Sequence, residues 1–534
     1  MFTTNLTWID IVIIVFYLLA ITWWGLKNGK NRNSNEYFLA GRSMNWYMVG
    51  LSLFAASIST SALIAQSGST YEYGLVVYNY NLISIYVMIF FAWIFLPFYI
   101  KSGVFTIPEF LERRFDQRAK FYFSAIAIFG GIFMDVSSTL YGSAMIFKII
   151  FPELDVQLIV MIAALIIGIY SIPGGLNSVI KTEVVQAIIL ISGSVMLAFV
   201  AHQKIGGWEV LANHFRDSNY LHLVHNSNDI AMPWPALILA LPILGFYFWG
   251  NNQPLVQRVL SAKSIDHGRK GVLLNGFLTM LTLYFIFIPA MKGAIAFPHL
   301  LPVDSIYPKM VTSWMPTVFL GFMVAVILST LTASLSGTVS SISTLVTMDF
   351  YKKFDSKADS KKLVRIGQIS SAVILLIGVV WAPQIHKFGS LINYYNELLS
   401  YVGSPIVAAF MLGLFWKRAN GTGIFWGLIS TFLMAAFMFF YGKEHFIQTI
   451  NNPDAPIHWL YLAPINFLFV SIIMIIVSLM TKPMDKEQIR DYVISKRFFI
   501  EEAKSYNNVR FYVDFRFWAI VLTIVCTIIL IQYW

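Results

Sequence analysis

The sequence predicts an all-α polytopic membrane protein of about fourteen transmembrane helices, ten of them arranged as two inverted five-helix repeats. Three observations carry this. Apolar residues make up 57% of the chain and charged ones 12%, a balance that requires lipid as solvent rather than one water-surrounded core. The apolar runs match the roughly 20 helical residues that cross about 30 Å of hydrocarbon, and the short alternating segments of a β-barrel do not occur. Finally, polar residues interrupt the second span and, five spans later, the seventh; broken backbone at membrane depth is tolerated only where it lines a cavity or is covered by protein, and an odd offset inverts the second copy.

In chain order, the spans fall near residues 8–26, 47–70, 78–100, 121–147, 157–173, 184–202, 233–252, 272–291, 313–346, 366–383, 389–415, 420–440, 459–480 and 517–534. The first has no basic stretch before it and no small-residue cleavage site, so it is expected to be a retained helix. The second carries "SLFAASISTSALIAQSGSTY" (52–71), and the seventh reads "LILALPILGFYFWGNNQP", with Pro242, Gly245, Gly250, Asn251 and Asn252. The organisation expected is an extra helix and cytoplasmic loop (1–46), a first repeat (47–202), an external connection (203–232), a second repeat (233–415) and three further helices (416–534), with a cytoplasmic amphipathic segment near 481–516.

A net charge of +10 raises the question of nucleic acid, but orientation explains it. Alternate loops carry 30 and 7 of the 37 basic residues, the asymmetry of a membrane protein with its basic loops inside. Both termini then lie outside, in the plasma (inner) membrane; no nucleic-acid partner and no obligate protein partner is expected. The single cysteine, Cys526, excludes an intramolecular disulfide and a thiolate metal cluster; it reads as a small buried apolar residue. No phosphate-binding loop, paired-His zinc motif or nucleophile elbow occurs, so the chain is not expected to be an enzyme.

The interruption at 55–58 leaves carbonyls without helical partners, a cost of several kcal/mol in lipid, which a hard monovalent cation can meet. The ninth span supplies further oxygens in "VILSTLTASLSGTVSS", where Thr330, Ser334 and Thr338 stack on one face. Such hydroxyls commonly bond the carbonyl one turn back or join helices; two clusters in one bundle tilt the balance toward an ion site. Two carboxylates stand in or near the spans: Asp135, sharing a face with Ser138, Thr139 and Gly142, and Glu183 near an inner end beside Lys181. Intramembrane ionisable groups are functional candidates, although Glu183 also fits an interfacial position.

Taken together, "EYFLAGRSMNWYMVGLSLFAASIS", "GVFTIPEFLERRF", "YSIPGGLNSVIKTEVVQ", "QRVLSAKS", "STLVTMDFYKK" and "GLFWKRANGTGIFWG" make the chain resemble the sodium/solute symporters, in the branch of the sodium/glucose-type cotransporters, along nearly its whole length. The resemblance implies the leucine-transporter-type 5+5 inverted repeat and a sodium ion as coupling partner. It puts sodium ligands at Ala55, Ile58, Thr330 and Ser334, with Ala333 where the family has a hydroxyl, so that Thr330, Ser329 or water must substitute. It puts Glu183 and Ser336 on the sodium path, whereas Gly337 departs from the second sodium site of some members, implying one sodium per cycle. For the solute it points to Ser61, Ala62, Asn81, Ser84, Asp135, Phe248, Trp249, Thr279 and Asn396, with Phe248 in the place of an aromatic inner gate. Ala62, Asn81, Gly245 and Thr279 stand where galactose-transporting relatives place glutamine, glutamate, asparagine and lysine, which argues against the same hexose in the same pose.

The expected function is secondary active, sodium-coupled import of a small polar solute, namely a sugar, sugar derivative or polyol, by alternating access. A carboxylate at Asp135 disfavours an anionic solute. A passive channel or facilitator is the alternative, distinguished by whether a sodium gradient concentrates solute; a membrane-embedded sensor would carry a signalling domain, and none is visible in the sequence.

Overall fold

The computed structural model describes residues 7–29, 33–150, 153–316, 318–388, 391–442, 445–448, 456–506 and 510–534; the side chains of Ser61 and Asn396, two of the expected solute contacts, lie outside the described residues. Among the described residues, eleven helices are long and apolar enough to cross a membrane. The difference from fourteen has three local causes. The second expected span is divided into Trp46–Ser57 and Thr60–Tyr73. The fifth and sixth form one run, Val156–Ile205, turned at Gly175. The eleventh contributes a shorter apolar helix, Tyr401–Phe415.

Gly175 explains why no loop separates the fifth and sixth spans. Its φ of 56° and ψ of −165° turn the chain in one residue, a conformation open to glycine alone, and a Cβ there would stand 2.6 Å from the Tyr37 carbonyl oxygen. Pro173, two residues earlier, weakens the helix at the same point.

The breaks are real but displaced from their expected positions. Residues 55–57 remain helical; the chain leaves the helix at Ile58 (φ −102°, ψ 79°) and Ser59 (φ −69°, ψ 162°), and Ser59 then caps the second half by accepting from Ala62 N at 3.1 Å. The second broken helix runs through Pro242 and Gly245, passes into a π-helical turn at Tyr247–Asn251, and breaks at Asn252 (φ −69°, ψ 116°) before Gln253–Leu260.

The helix Phe319–Thr344 is the centre of the bundle. Every residue from Met323 to Thr344 is buried, and the helix packs on Trp8–Asn28, Val156–Ile205, Ser360–Trp381 and both halves of the first broken helix. Most of its hydroxyls bond back to the preceding turn, as in Thr332 Oγ1 to Leu328 O (2.7 Å), Thr338 Oγ1 to Ser334 O (3.0 Å) and Ser341 Oγ to Gly337 O (2.8 Å), which lets a helix rich in serine and threonine be buried on all sides. The outer helices instead turn apolar side chains outward, among them Phe16, Leu19 and Trp23 of the first, the surface that lipid covers.

The start of the central helix has an unusual cap. Val318 lies at φ 72° and supplies no side-chain acceptor; fully buried Asp10 of the first helix supplies it instead, accepting from Gly321 N at 2.7 Å while Thr7 N and Oγ1 donate to its other oxygen at 2.8 and 2.6 Å. This meets one of the donors that a helix N-terminus leaves bare. The expected amphipathic segment forms short helices, Lys486–Ile489 and Lys496–Ser505, docked on the bundle. Phe498 stacks on Phe98 at 4.9 Å, Ile494 N donates to Leu414 O at 2.9 Å, and Glu502 pairs with buried Arg269.

A Cβ at Gly321 would stand 2.5 Å from the Asp10 Cα. Gly321→Ala is therefore expected to lower stability by about 1–3 kcal/mol, read as a lower thermal midpoint of the detergent-purified protein. Gly168→Ala, whose Cβ would meet Ile172 and Leu375 only at ordinary contact distances of 3.4 and 3.5 Å, should leave the midpoint unchanged.

Candidate functional site

The first break opens directly onto the central helix. A helix end leaves its last carbonyls without intrahelical partners. Of those ending at Ser57, Phe54 O is taken by Ile58 N (3.3 Å) and Ser57 Oγ (3.0 Å), while Ala55 and Ile58, expected ligands, lie at the gap, 1% and 6% exposed. Thr60, just beyond the break, hydrogen-bonds Thr330 hydroxyl to hydroxyl at 2.8 Å and reaches Ile327 O at 3.3 Å. Ser334 follows Thr330 by four residues and so shares its face. Further inward on that face, Gly337 abuts Glu183 and Arg258, and Glu183 in turn accepts from Ser52 of the lower half-helix. Ser334 thus lies on the face of the central helix between Thr330, which bonds Thr60 just beyond the break, and Gly337, which abuts the Glu183–Arg258 pair.

Exposure separates the hydroxyls. Ser334 is 9% exposed, whereas Ser329, Thr330, Thr332 and Ser336 are 1% or less. Ser329 Oγ donates to Gln186 O at 3.2 Å and Thr332 Oγ1 accepts from Gln186 Nε2 at 2.8 Å, so both are committed to the opposite face. Ser329 therefore does not replace the hydroxyl missing at Ala333; Thr330, at the break itself, is the residue positioned to do so. Ser336 donates to Ala333 O at 3.3 Å. Thr60 was identifiable from the sequence only as one of many hydroxyls in its stretch; its pairing with residue 330 is a tertiary contact.

Glu183 is enclosed by protein, unlike its neighbour Lys181, which is half-buried. It is 0% exposed and forms a forked ion pair with Arg258, whose Nε lies 2.9 Å from Oε2 and whose Nη2 bonds Oε1. Arg258, counted in sequence among the basic loop residues, is equally buried and also donates to Pro254 O. A buried pair of this kind persists only with matching geometry and further hydrogen bonds, supplied by Ser52 and the Pro254 carbonyl. Gly337 makes the space: a Cβ there would overlap the guanidinium and stand 2.9 Å from Glu183 Oε1. Four segments, the lower half-helix, the bent helix, Gln253–Leu260 and the central helix, therefore meet at one ion pair.

The expected solute residues fall into two groups. Asn81 Nδ2 donates to Thr282 Oγ1 at 2.9 Å, and Thr282 Oγ1 to Thr279 O at 2.5 Å; Gln66 Nε2, one turn beyond Ala62, lies 3.4 Å from Asn81 Oδ1. Ser84, three residues beyond Asn81 on its helix, faces Gly245, where a Cβ would meet Ser84 Oγ at 3.7 Å. Asp135 belongs to the second group. It sits in a π-helical turn, Gly131–Val136, whose extra residue re-aims side chains. Rather than pairing with Ser138, whose hydroxyl bonds Met134 O, it lines a cavity of about 20 Å³ with Tyr247, Asn251, Asn252 and Gln253, a volume that holds about one water. Phe248 and Trp249 follow Tyr247 in the π-helical turn, Phe248 half-buried and Trp249 6% exposed, their rings 5.2 Å apart edge to face. No group of three or more His, Cys, Asp or Glu side chains able to hold a metal occurs among the described residues.

The sequence model of the Sodium:solute symporter family matches residues 37–430. The chain is similar to the sodium/glucose cotransporter 1 of Ovis aries, at 31% identity over 89% of this chain and 79% of the sheep protein. It is equally similar to the sodium/myo-inositol cotransporter of Mus musculus, at 31% identity over 90% and 74%. Among solved structures, a Na⁺-coupled sialic acid symporter in a substrate-bound outward-open state superposes with a TM-score of 0.78 at 21% identity, over 90% of this chain and 99% of that one. A nucleobase-cation-symport-1 family transporter in a closed conformation gives 0.53 at 13% identity, over 86% and 99%. At these identities the structural likeness is one of fold.

Gly337→Ala drives a methyl group into the buried ion pair and is expected to cost about 3–5 kcal/mol, the scale of breaking such a pair. Its thermal midpoint should fall further than that of Gly321→Ala, measured side by side in the same detergent.

Proposed function

Because the chain belongs to the sodium:solute symporter family and is a sodium-coupled solute symporter, we propose that it imports a neutral polyhydroxy solute, a sugar, sugar derivative or polyol, with one sodium ion per cycle. The names of its relatives, which include glucose and myo-inositol cotransporters, support that solute class. The single observation that supports the reading is the helix break at Ile58–Ser59, beside which Thr60 bonds Thr330 of the central helix, one turn from Ser334. Sodium would take the carbonyls of Ala55 and Ile58 on one helix and the Thr330 and Ser334 oxygens on the other.

The mechanism follows from what such an ion does to two helices. In its absence the half-helices are joined by two extended residues and can swing; in its presence they are fastened to the central helix. Sodium therefore favours the conformation in which the break and Ser334 face each other, and by linkage raises affinity for a solute that binds the same conformation. The pair Glu183–Arg258, with Ser52, would hold the cytoplasmic ends of the same elements together. Release to the inside would require this ion pair to separate and Phe248 to move aside. Residues 47–202 and 233–415 would be the halves that rock, with both termini outside and the basic loops inside the plasma (inner) membrane.

Sodium-gradient-driven uptake of D-glucose and myo-inositol into proteoliposomes tests the reading; accumulation above equilibrium is expected, and equilibration without accumulation would identify a facilitator. Ser334→Ala is expected to raise the sodium concentration for half-maximal uptake about tenfold, the loss of one strong oxygen contact to a charge. Unchanged sodium activation would remove Ser334 from the ion site.

A further inference from the structure

We propose that Gln66 is a specificity-determining residue that accepts a hydrogen bond from a hydroxyl of the solute, at a level one helical turn outside Ala62 and Thr279. The inference rests on the solute class proposed above and names the atom that reads it. Its basis is a directed chain of hydrogen bonds. Thr282 Oγ1 donates to Thr279 O at 2.5 Å, committing the hydroxyl proton; Asn81 Nδ2 donates to Thr282 Oγ1 at 2.9 Å. Asn81 must then present Oδ1 to its other neighbour, and Gln66 meets it with Nε2 at 3.4 Å. This order fixes the orientation of both amides, because reversing either would set donor against donor or acceptor against acceptor.

The chain ends on Gln66 Oε1, which is buried and has no hydrogen-bond partner among the described residues. A buried acceptor left unmet is destabilising, and only a donor removes that cost. Ala62 cannot serve in its place, and Gln66 stands four residues further along Thr60–Tyr73 on the same face, about 6 Å outward. Thr282 likewise stands three residues beyond Thr279. Ala62, Gln66, Asn81 and Ser84 are all half-buried, as residues lining a cleft are. Here a solute hydroxyl donates to Oε1, while a carboxylate, having no proton to give, is rejected.

The test compares wild type with Gln66→Leu and Gln66→Asn, which keeps both the donor and the acceptor on a shorter side chain, each confirmed as folded by its thermal midpoint, in sodium-driven uptake of D-glucose and myo-inositol. Gln66→Leu should raise the half-saturating solute concentration about tenfold or more and leave the sodium concentration for half-activation within about twofold; Gln66→Asn should lose less. A folded Gln66→Leu with wild-type half-saturation, while wild type accumulates either solute, overturns the role of Gln66 and leaves the symporter reading intact. If Gln66→Leu does not fold, Gln66→Asn decides: sodium activation and solute half-saturation that shift together would overturn a role confined to solute. Wild-type failure to take up either solute under a sodium gradient overturns the solute class and the hydroxyl assignment together.

Discussion

Hydrocarbon offers no hydrogen bonds, and this one constraint decides where a membrane helix can be broken. The carbonyls ending a half-helix must be met by protein or by an ion. At Ile58–Ser59 the chain answers the donor side itself: Ser59 caps the outer half through Ala62 N. The acceptor side is a different matter, since carbonyls need a donor or a cation; this is why the proposed sodium site is sought here, and why the helix packed against the break matters.

That helix, the central one, is held along its length by contacts of different kinds. At its N-terminal end Asp10 caps it; midway Tyr17 and Gln186 both reach the Thr332 hydroxyl, at 3.2 and 2.8 Å. Beyond its C-terminal end Asp349 accepts from Thr106 and Ser124, each at 2.7 Å. The face carrying Thr330, Ser334 and Gly337 is thus presented by a helix fastened on its other sides. The first helix acquires a purpose here: it supplies both the cap and Tyr17.

Much of this was legible in the sequence, and the rest was not for identifiable reasons. Composition and span length give an all-α membrane bundle, and the polar runs at 52–71 and 247–252 give the broken helices. The break falls three residues later than the first small hydroxyl-rich run implied because Ser59, rather than Ala55, has the side chain that caps a new helix. The π-helical turns carrying Asp135 and Phe248 have no sequence signature. Arg258 illustrates the deepest limit: counting charges places it in a cytoplasmic loop, and only folding brings it to Glu183, 75 residues away in sequence. Gln66 shares the helical face of Ala62 one turn away, so helical periodicity alone does not distinguish the two positions.

If the proposed sodium site and the buried pair Glu183–Arg258 act in opposition, their balance would set how the molecule cycles. A pair that contributed too much would never open, and the cost of desolvation tempers it: charges taken out of water gain back little more than they lose. Reversing a 99:1 population takes about 5.5 kcal/mol of differential binding, more than one oxygen contact supplies, so the proposed sodium ligands and the solute would have to share that demand. Neither alone would then need to be sufficient, which is the condition for coupling rather than leakage.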